Sequence, residues 1–207
     1  MKAKKHVIVG YSGHSYLCIE SFISLGIDIY GYYEIEEKLI NPYKLHFLGK
    51  EEKIKKDYTP FISIGSNSVR KKVYQKLIRN KIILDINNLH PSAIISNTAI
   101  IGEQTFVSAG VIINPQVLIS KGCIVNTGAI IEHECRVGDF THIGPGAVLA
   151  GNVSVGESSM IGANSVIKEG IKIGNNVIIG AGAVIINDVS DNLTVVGNPG
   201  KIKKYYL

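Results

Sequence analysis

From Ile95 to Ile185 every sixth residue is Ile, Val or Leu, sixteen landings in a row without an exception. Two positions earlier the residue is mostly small, as at Ala93, Ala99, Thr105, Ala129, Cys135, Thr141 and Ala147. One position later Gly recurs, as at Gly102, Gly138, Gly144, Gly156, Gly162, Gly174 and Gly180. Neither a helix, with its 3.6-residue period, nor a single strand, with its period of two, produces this pattern. A period of six lets a short strand send one aliphatic side chain inward, turn a corner and begin again. Hexapeptide repeats of this kind specify a parallel β-helix. Three hexapeptides make one triangular coil, so residues 18 apart stack in columns roughly 4.8 Å apart, and the sixteen repeats give about five coils. Handedness is not readable from the period; parallel crossovers are usually right-handed.

Residues 1–90 carry no such period and read as a separate small domain, followed by the β-helix over 91–207. Val7–Gly10 reads as a buried strand running into the loop Gly10-Tyr11-Ser12-Gly13-His14, with a helix over about 15–25 and a strand near 27–33. A further strand, Phe61–Ile64, leads into Gly65-Ser66-Asn67 and a helix carrying Arg70, Lys71 and Lys72. Strands alternating with helices predict a parallel α/β sheet of Rossmann-like type, with ligands beyond the carboxyl ends of the strands. Both glycine-bearing turns fall there. Gly10 and Gly13 do not complete G-x-G-x-x-G, so a small nucleotide suits the loop better than a dinucleotide.

Charge is divided unevenly. The front ninety residues hold fifteen Lys and Arg against nine acids, and the remainder seven against eight. A basic front domain accords with an anionic small ligand or with a solvated lysine surface. No basic stripe interleaves with aromatics, which argues against nucleic acid. Cys18, Cys123 and Cys135 are an odd, unspaced set and read as buried thiols in a reducing compartment. With no signal peptide and no long apolar span, the expectation is a cytoplasmic protein without membrane attachment.

Within the repeats Val125, Ile131, Val137 and Ile143 point inward, so charges between them lie outside the prism. His133, between Glu132 and Glu134, is the one repeat-region histidine flanked by carboxylates; His142 lies half a coil further, and Gly151, 18 residues on, shares the His133 column. A carboxylate that accepts the imidazole N–H fixes its tautomer and raises its basicity, as a general base near neutrality requires. A free N–H near Gly151 would suit an oxyanion. The same residues also read as an ordinary surface ion-pair cluster.

The chain resembles, over nearly its whole length, the bacterial sugar O- and N-acetyltransferases of the sialic-acid and bacillosamine type. The residues that carry the likeness are Gly10–His14, Ile64–Lys72, His90–Ser96, Asn126–Gly128, Ile131–Cys135 and Gly197–Pro199. The resemblance implies a left-handed β-helix, a homotrimer with sites between subunits, acetyl-CoA as donor and no metal. It implies that His133 is the base, that Glu134 sharpens it, and that the Gly151 backbone holds the acetyl carbonyl. It further implies that His142, Ala163 and Ala181 line the cofactor and that Ser12, Gly13, His14 and Gly65 hold the acceptor nucleotide. The family's acidic residues after the second strand are replaced by Tyr32-Tyr33-Glu34, so Tyr33 and Glu34 are candidates for that contact. The expected reaction is direct N-acetylation of a UDP-4-amino-sugar type acceptor. Alternatives are O-acetylation of sialic acid, a non-catalytic sugar-nucleotide sensor, and a zinc-dependent γ-carbonic-anhydrase-like protein. The last needs three ligands around one ion, and His90 is far from the 133/142 pair.

Overall fold

The computed structural model describes residues 5–203. Its front domain runs β1 (Lys5–Val9), α1 (Gly13–Ser24), β2 (Ile29–Tyr33), β3 (His46–Phe47), β4 (Tyr58–Ile62) and α2 (Asn67–Arg79). The strands form one parallel sheet in the order β3-β2-β1-β4. Val7, Ile8 and Val9 are all buried, as expected where both faces of a parallel sheet are covered. The helix expected from residue 15 starts at Gly13, because Ser15 Oγ accepts from Ser12 N–H and donates to Ser12 C=O. The last strand starts at Tyr58 rather than Phe61. It is an edge strand, where Pro60 is tolerated, and Gln104 of the second domain closes that edge, accepting from Ile62 N–H and donating to Pro60 C=O.

The second domain is a left-handed parallel β-helix. Each landing is a two-residue strand paired with strands 18 residues away, for example Ile124 with Phe106 and His142. The strands form three faces of five, six and eight strands, the largest ending in the antiparallel strand Lys201–Ile202. Asn88–Leu89 already pairs with Phe106–Val107, and Thr194–Val196 with Ile178–Ile179, so the stack outruns the hexapeptide count at both ends. The inward aliphatics make a continuous core from Val107 to Val195.

The small residues before each landing do more than fit the corner. Thr105, Cys123, Thr141 and Ser159 form one column, and each donates to the carbonyl 15 residues on: Ser120, Gly138, Gly156 and Gly174. Cys135 does the same for Ala150 on another corner. The four donor side chains of the column are fully buried, where an unpaired polar group costs about 1–3 kcal/mol. All three cysteines are free and buried, and burial pushes the Cys123 and Cys135 thiols up to about 12 and about 11.

The outward columns give each face a different role. On the eight-stranded face the column is Asn88, Phe106, Ile124, His142, Met160, Ile178. The front domain sits on its first half, packing Cys18, Phe22 and Phe61 against Phe106 and Ile124. The five-stranded face presents Ile100, Leu118, Arg136, Ser154 and Lys172. The six-stranded face presents only branched aliphatics: Ile94, Ile112, Ile130, Val148, Val166 and Val184. None of these six is fully buried, and Ile94 is 67% exposed.

Candidate active site

His133 lies on the corner between the six- and five-stranded faces, after the strand Ile130–Ile131 and before Arg136–Val137. Its side chain is 53% exposed, and Nδ1 is 3.0 Å from a carboxylate oxygen of Glu134. Glu134 reaches it from a left-handed backbone position (φ 62°) that Gln116 and Asn152 repeat one coil to either side. A carboxylate only accepts hydrogen bonds, so in the neutral imidazole this contact assigns the proton to Nδ1 and leaves the lone pair on Nε2.

Gly151 lies directly beneath the ring. A Cβ there would come 2.6 Å from His133 Cε1 and 2.7 Å from Nε2, so this corner admits no side chain while the imidazole holds its place. The ladder fixes the spacing, with Asn152 N–H donating to His133 C=O at 2.8 Å. Among the described residues nothing accepts from the Gly151 N–H, although the residue is buried. A proton acceptor and an unused amide donor therefore stand side by side.

His142 is elsewhere in the protomer, on the eight-stranded face beneath the front domain. Only 9% of it is exposed, and its ring centroid is 6.3 Å from that of His14. Burial, with Arg70 nearby, pushes His142 down to about 4. Burial, then His142 and Arg70, pushes His14 to about 3. Asn126 fixes the His142 tautomer: its Oδ1 accepts from Thr127 N–H, so its Nδ2 donates to His142 Nε2 at 3.2 Å. Both imidazoles are neutral in the fold at pH 7.

The residues expected to hold the acceptor nucleotide come together. Gly65 lies against His14, with its would-be Cβ 3.6 Å from His14 Cβ. Ser12 and Gly13 are exposed where α1 begins, and α2 begins beside it at the end of the neighbouring strand. Two helix N-termini thus converge on one region, an arrangement favourable to phosphate oxygens. A cavity of about 820 Å³ continues from Gly65–Ser68 past Lys71 and Lys72 to His142, Met160 and Ile178.

One acceptor-site expectation needs revision. Tyr33 is 2% exposed in the front-domain core and its hydroxyl reaches Lys53 C=O, so its side chain does not line a ligand site. Tyr32 is buried as well, because both faces of the sheet are covered and strand alternation leaves no exposed side. Glu34 does sit at the loop, where its oxygens accept from Tyr11 N–H at 3.1 Å and Ile35 N–H at 3.0 Å and keep lone pairs for a further donor. It holds the glycine loop against the end of β2.

Ala163 and Ala181 stack on the corner between the eight- and six-stranded faces, where Gly182 N–H donates to Ala163 C=O. They and His133 therefore flank the same aliphatic face on opposite edges, and one protomer does not join them. Sequence reading gives no role to Asn126 or Asn67 and no sign that Arg70 is buried; a lone Arg before two lysines carries no signal of burial. Among the described residues no three His, Cys, Asp or Glu are grouped to hold a metal ion, and no helix is long and apolar enough to cross a membrane.

A sequence profile described as the PglD N-terminal domain matches residues 5–77, and one described as bacterial transferase hexapeptide (six repeats) matches residues 152–187. PerB from Caulobacter crescentus, solved in complex with CoA and GDP-perosamine, is 34% identical over 97% of each chain, with a TM-score of 0.91. The acetyltransferase domain of PglB from Neisseria gonorrhoeae, solved with acetyl coenzyme A, is 30% identical over 97% of this chain and 99% of that one, with a TM-score of 0.90. Further structures of the Caulobacter perosamine N-acetyltransferase carry one histidine changed to Asn or to Ala. By its two domains and by this likeness along its length, the chain is an acetyltransferase and belongs to the bacterial sugar acetyltransferase family of hexapeptide transferases.

Proposed function

We propose that this protein transfers the acetyl group of acetyl-CoA to the amine of a nucleotide-linked amino sugar of the 4-amino-4,6-dideoxy type, with His133 as general base. The observation that carries the reading is the exposed His133–Glu134 pair seated over the unused Gly151 amide. Glu134 holds the proton on Nδ1, and Nε2 takes the proton of the attacking amine as the new C–N bond forms. The Gly151 N–H donates to the carbonyl oxygen as it becomes an oxyanion. The C–S bond then breaks, and the His133 imidazolium returns its proton to the departing thiolate. No covalent enzyme intermediate is required, since Cys123 and Cys135 are buried and committed to backbone carbonyls.

The working site forms in a homotrimer. An unbroken Ile/Val column is the kind of apolar surface that marks an interface. Three prisms in a closed ring, each turning its six-stranded face to the axis, set the His133 edge of one subunit against the Ala163/Ala181 edge of the next. The front domain lies on the eight-stranded face, next to that second edge. Each seam then receives the base and the Gly151 amide from one subunit. From its neighbour it receives the alanine groove, His142 and the nucleotide loop of Ser12, Gly13, His14 and Gly65. The structures of PerB with CoA and GDP-perosamine and of PglB with acetyl coenzyme A support both substrate classes.

The test is to incubate the protein with acetyl-CoA and UDP- or GDP-linked 4-amino sugars, or with sialic acid, and weigh the products. A gain of one acetyl group on a nucleotide-linked amine supports the reading. Acetylation of sialic acid alone overturns it in favour of O-transfer.

A further inference from the structure

Arg70 is 1% exposed, and among the described residues no carboxylate pairs with it. Burying an unpaired guanidinium is costly unless every donor is satisfied, and here each one is. Nε donates to Gly122 C=O at 2.7 Å, and Nη1 to Ile64 C=O and Gly65 C=O at 3.0 Å each. Nη2 donates to Asn67 Oδ1 and Phe140 C=O, both at 2.9 Å. These five bonds use the whole guanidinium fork, which a lysine with three donors cannot reproduce.

The acceptors fall into two sets. Gly122 and Phe140 are 18 residues apart on one corner of the β-helix, and Ser158 is the next in that column. Asn67, held by Arg70, donates through Nδ2 to Ser158 C=O at 3.2 Å and Ser159 C=O at 3.0 Å. Ile64, Gly65 and Asn67 form the turn at the mouth of the nucleotide loop. The turn is thereby pinned to three consecutive coils. Gly65 C=O also faces His142, whose other nitrogen is held by Asn126.

We propose that Arg70 is a positioning residue for the acceptor: it fixes the Ile64–Asn67 turn at a set height over His142 by tying the turn to successive corners of the β-helix. The proposal rests on the acceptor reading above. It implies a division of labour, since the edges carrying Ala163 and His133 are built by the β-helix alone, and His142 stands in the β-helix ladder with its ring held by Asn126, so the acetyl-CoA side does not depend on this clamp.

The test compares Arg70→Lys, Arg70→Ala and Asn67→Ala with the wild-type protein in steady-state kinetics. Thermal melts and light scattering check that each variant is folded and of unchanged assembly. Arg70→Lys should raise KM for the nucleotide sugar at least tenfold and leave KM for acetyl-CoA within about twofold. Asn67→Ala, which keeps the guanidinium, should raise acceptor KM severalfold and serves if Arg70→Ala does not fold. Added methylguanidinium should restore part of the acceptor affinity of folded Arg70→Ala. Unchanged acceptor KM in a folded variant, or an equal loss toward both substrates, overturns the positioning role while leaving the acetyltransferase reading intact. A wild-type protein that acetylates no nucleotide-linked sugar overturns that reading, and this proposal with it.

Discussion

Replacing Gly151 by Ala perturbs the site by one methyl group at a place where the structure sets the size of the effect. The added carbon would lie 2.6 Å from His133 Cε1, and the Gly151 backbone is not in the left-handed region, so alanine strains nothing else there. Carbon atoms prefer separations of about 3.5 Å or more, so the imidazole must withdraw by about 0.9 Å. Being half exposed, the ring swings toward solvent at little cost to folding. With His133 as the proposed base, the same movement is costly to catalysis: a displacement of about 1 Å costs about a hundredfold in rate. Gly151→Ala should therefore lower kcat about a hundredfold, measured as thiol release from acetyl-CoA, with a melting temperature close to wild type. In a His133→Ala background the same change should cost less than about twofold, because the clash is gone. Near-normal turnover of Gly151→Ala, or an equal loss in both backgrounds, would refute the claim that this glycine is kept for the histidine.

Two further outcomes follow from the site. His133→Ala should lower kcat by about 10²–10⁴ with KM for acetyl-CoA little changed, read in the same thiol-release assay. The buried imidazoles give a pH dependence of stability: His14 and His142 are pushed from 6.5 to about 3 and about 4. Both are neutral in the fold and take up protons when the chain unfolds, so stability is full above pH 6.5 and falls as pH drops toward 4. The slope is about 1.4 kcal/mol per pH unit for each imidazole. Denaturant titrations at pH 7 and pH 4.5 should show this loss, halved in His142→Asn; an unchanged midpoint would contradict it.

The hexapeptide period was enough to place Val107–Ile185 along the prism axis, because one aliphatic per six residues leaves no other inward choice. It placed His133 outside and Gly151 one coil along by the same counting. It could not reveal why Thr105, Cys123, Thr141 and Ser159 recur, since a hydroxyl or thiol at a corner looks merely small until its carbonyl partner is seen. The short strand His46–Phe47 was missed because two residues carry no alternation. Arg70 read as one of three basic residues on a helix, yet Lys72 is exposed and Arg70 buried. Burial of a cation depends on acceptors 52 and 70 residues away in sequence. Tyr33 failed for a related reason: alternation along a strand says nothing about which of two covered faces meets a ligand.

The central claim is that each site joins the His133 edge of one subunit to the alanine edge of its neighbour, and mixed trimers test it directly. His133→Ala and Ala163→Trp each remove one edge, so each alone should be nearly inactive while still trimeric. When they are unfolded together, or coexpressed, at equal amounts, a seam is intact when an Ala163→Trp subunit supplies His133 and a His133→Ala subunit supplies Ala163. Random assembly makes about one quarter of the seams intact. Recovery of about a quarter of wild-type turnover is the predicted result. Mixed trimers no more active than the two separate variants would contradict the account.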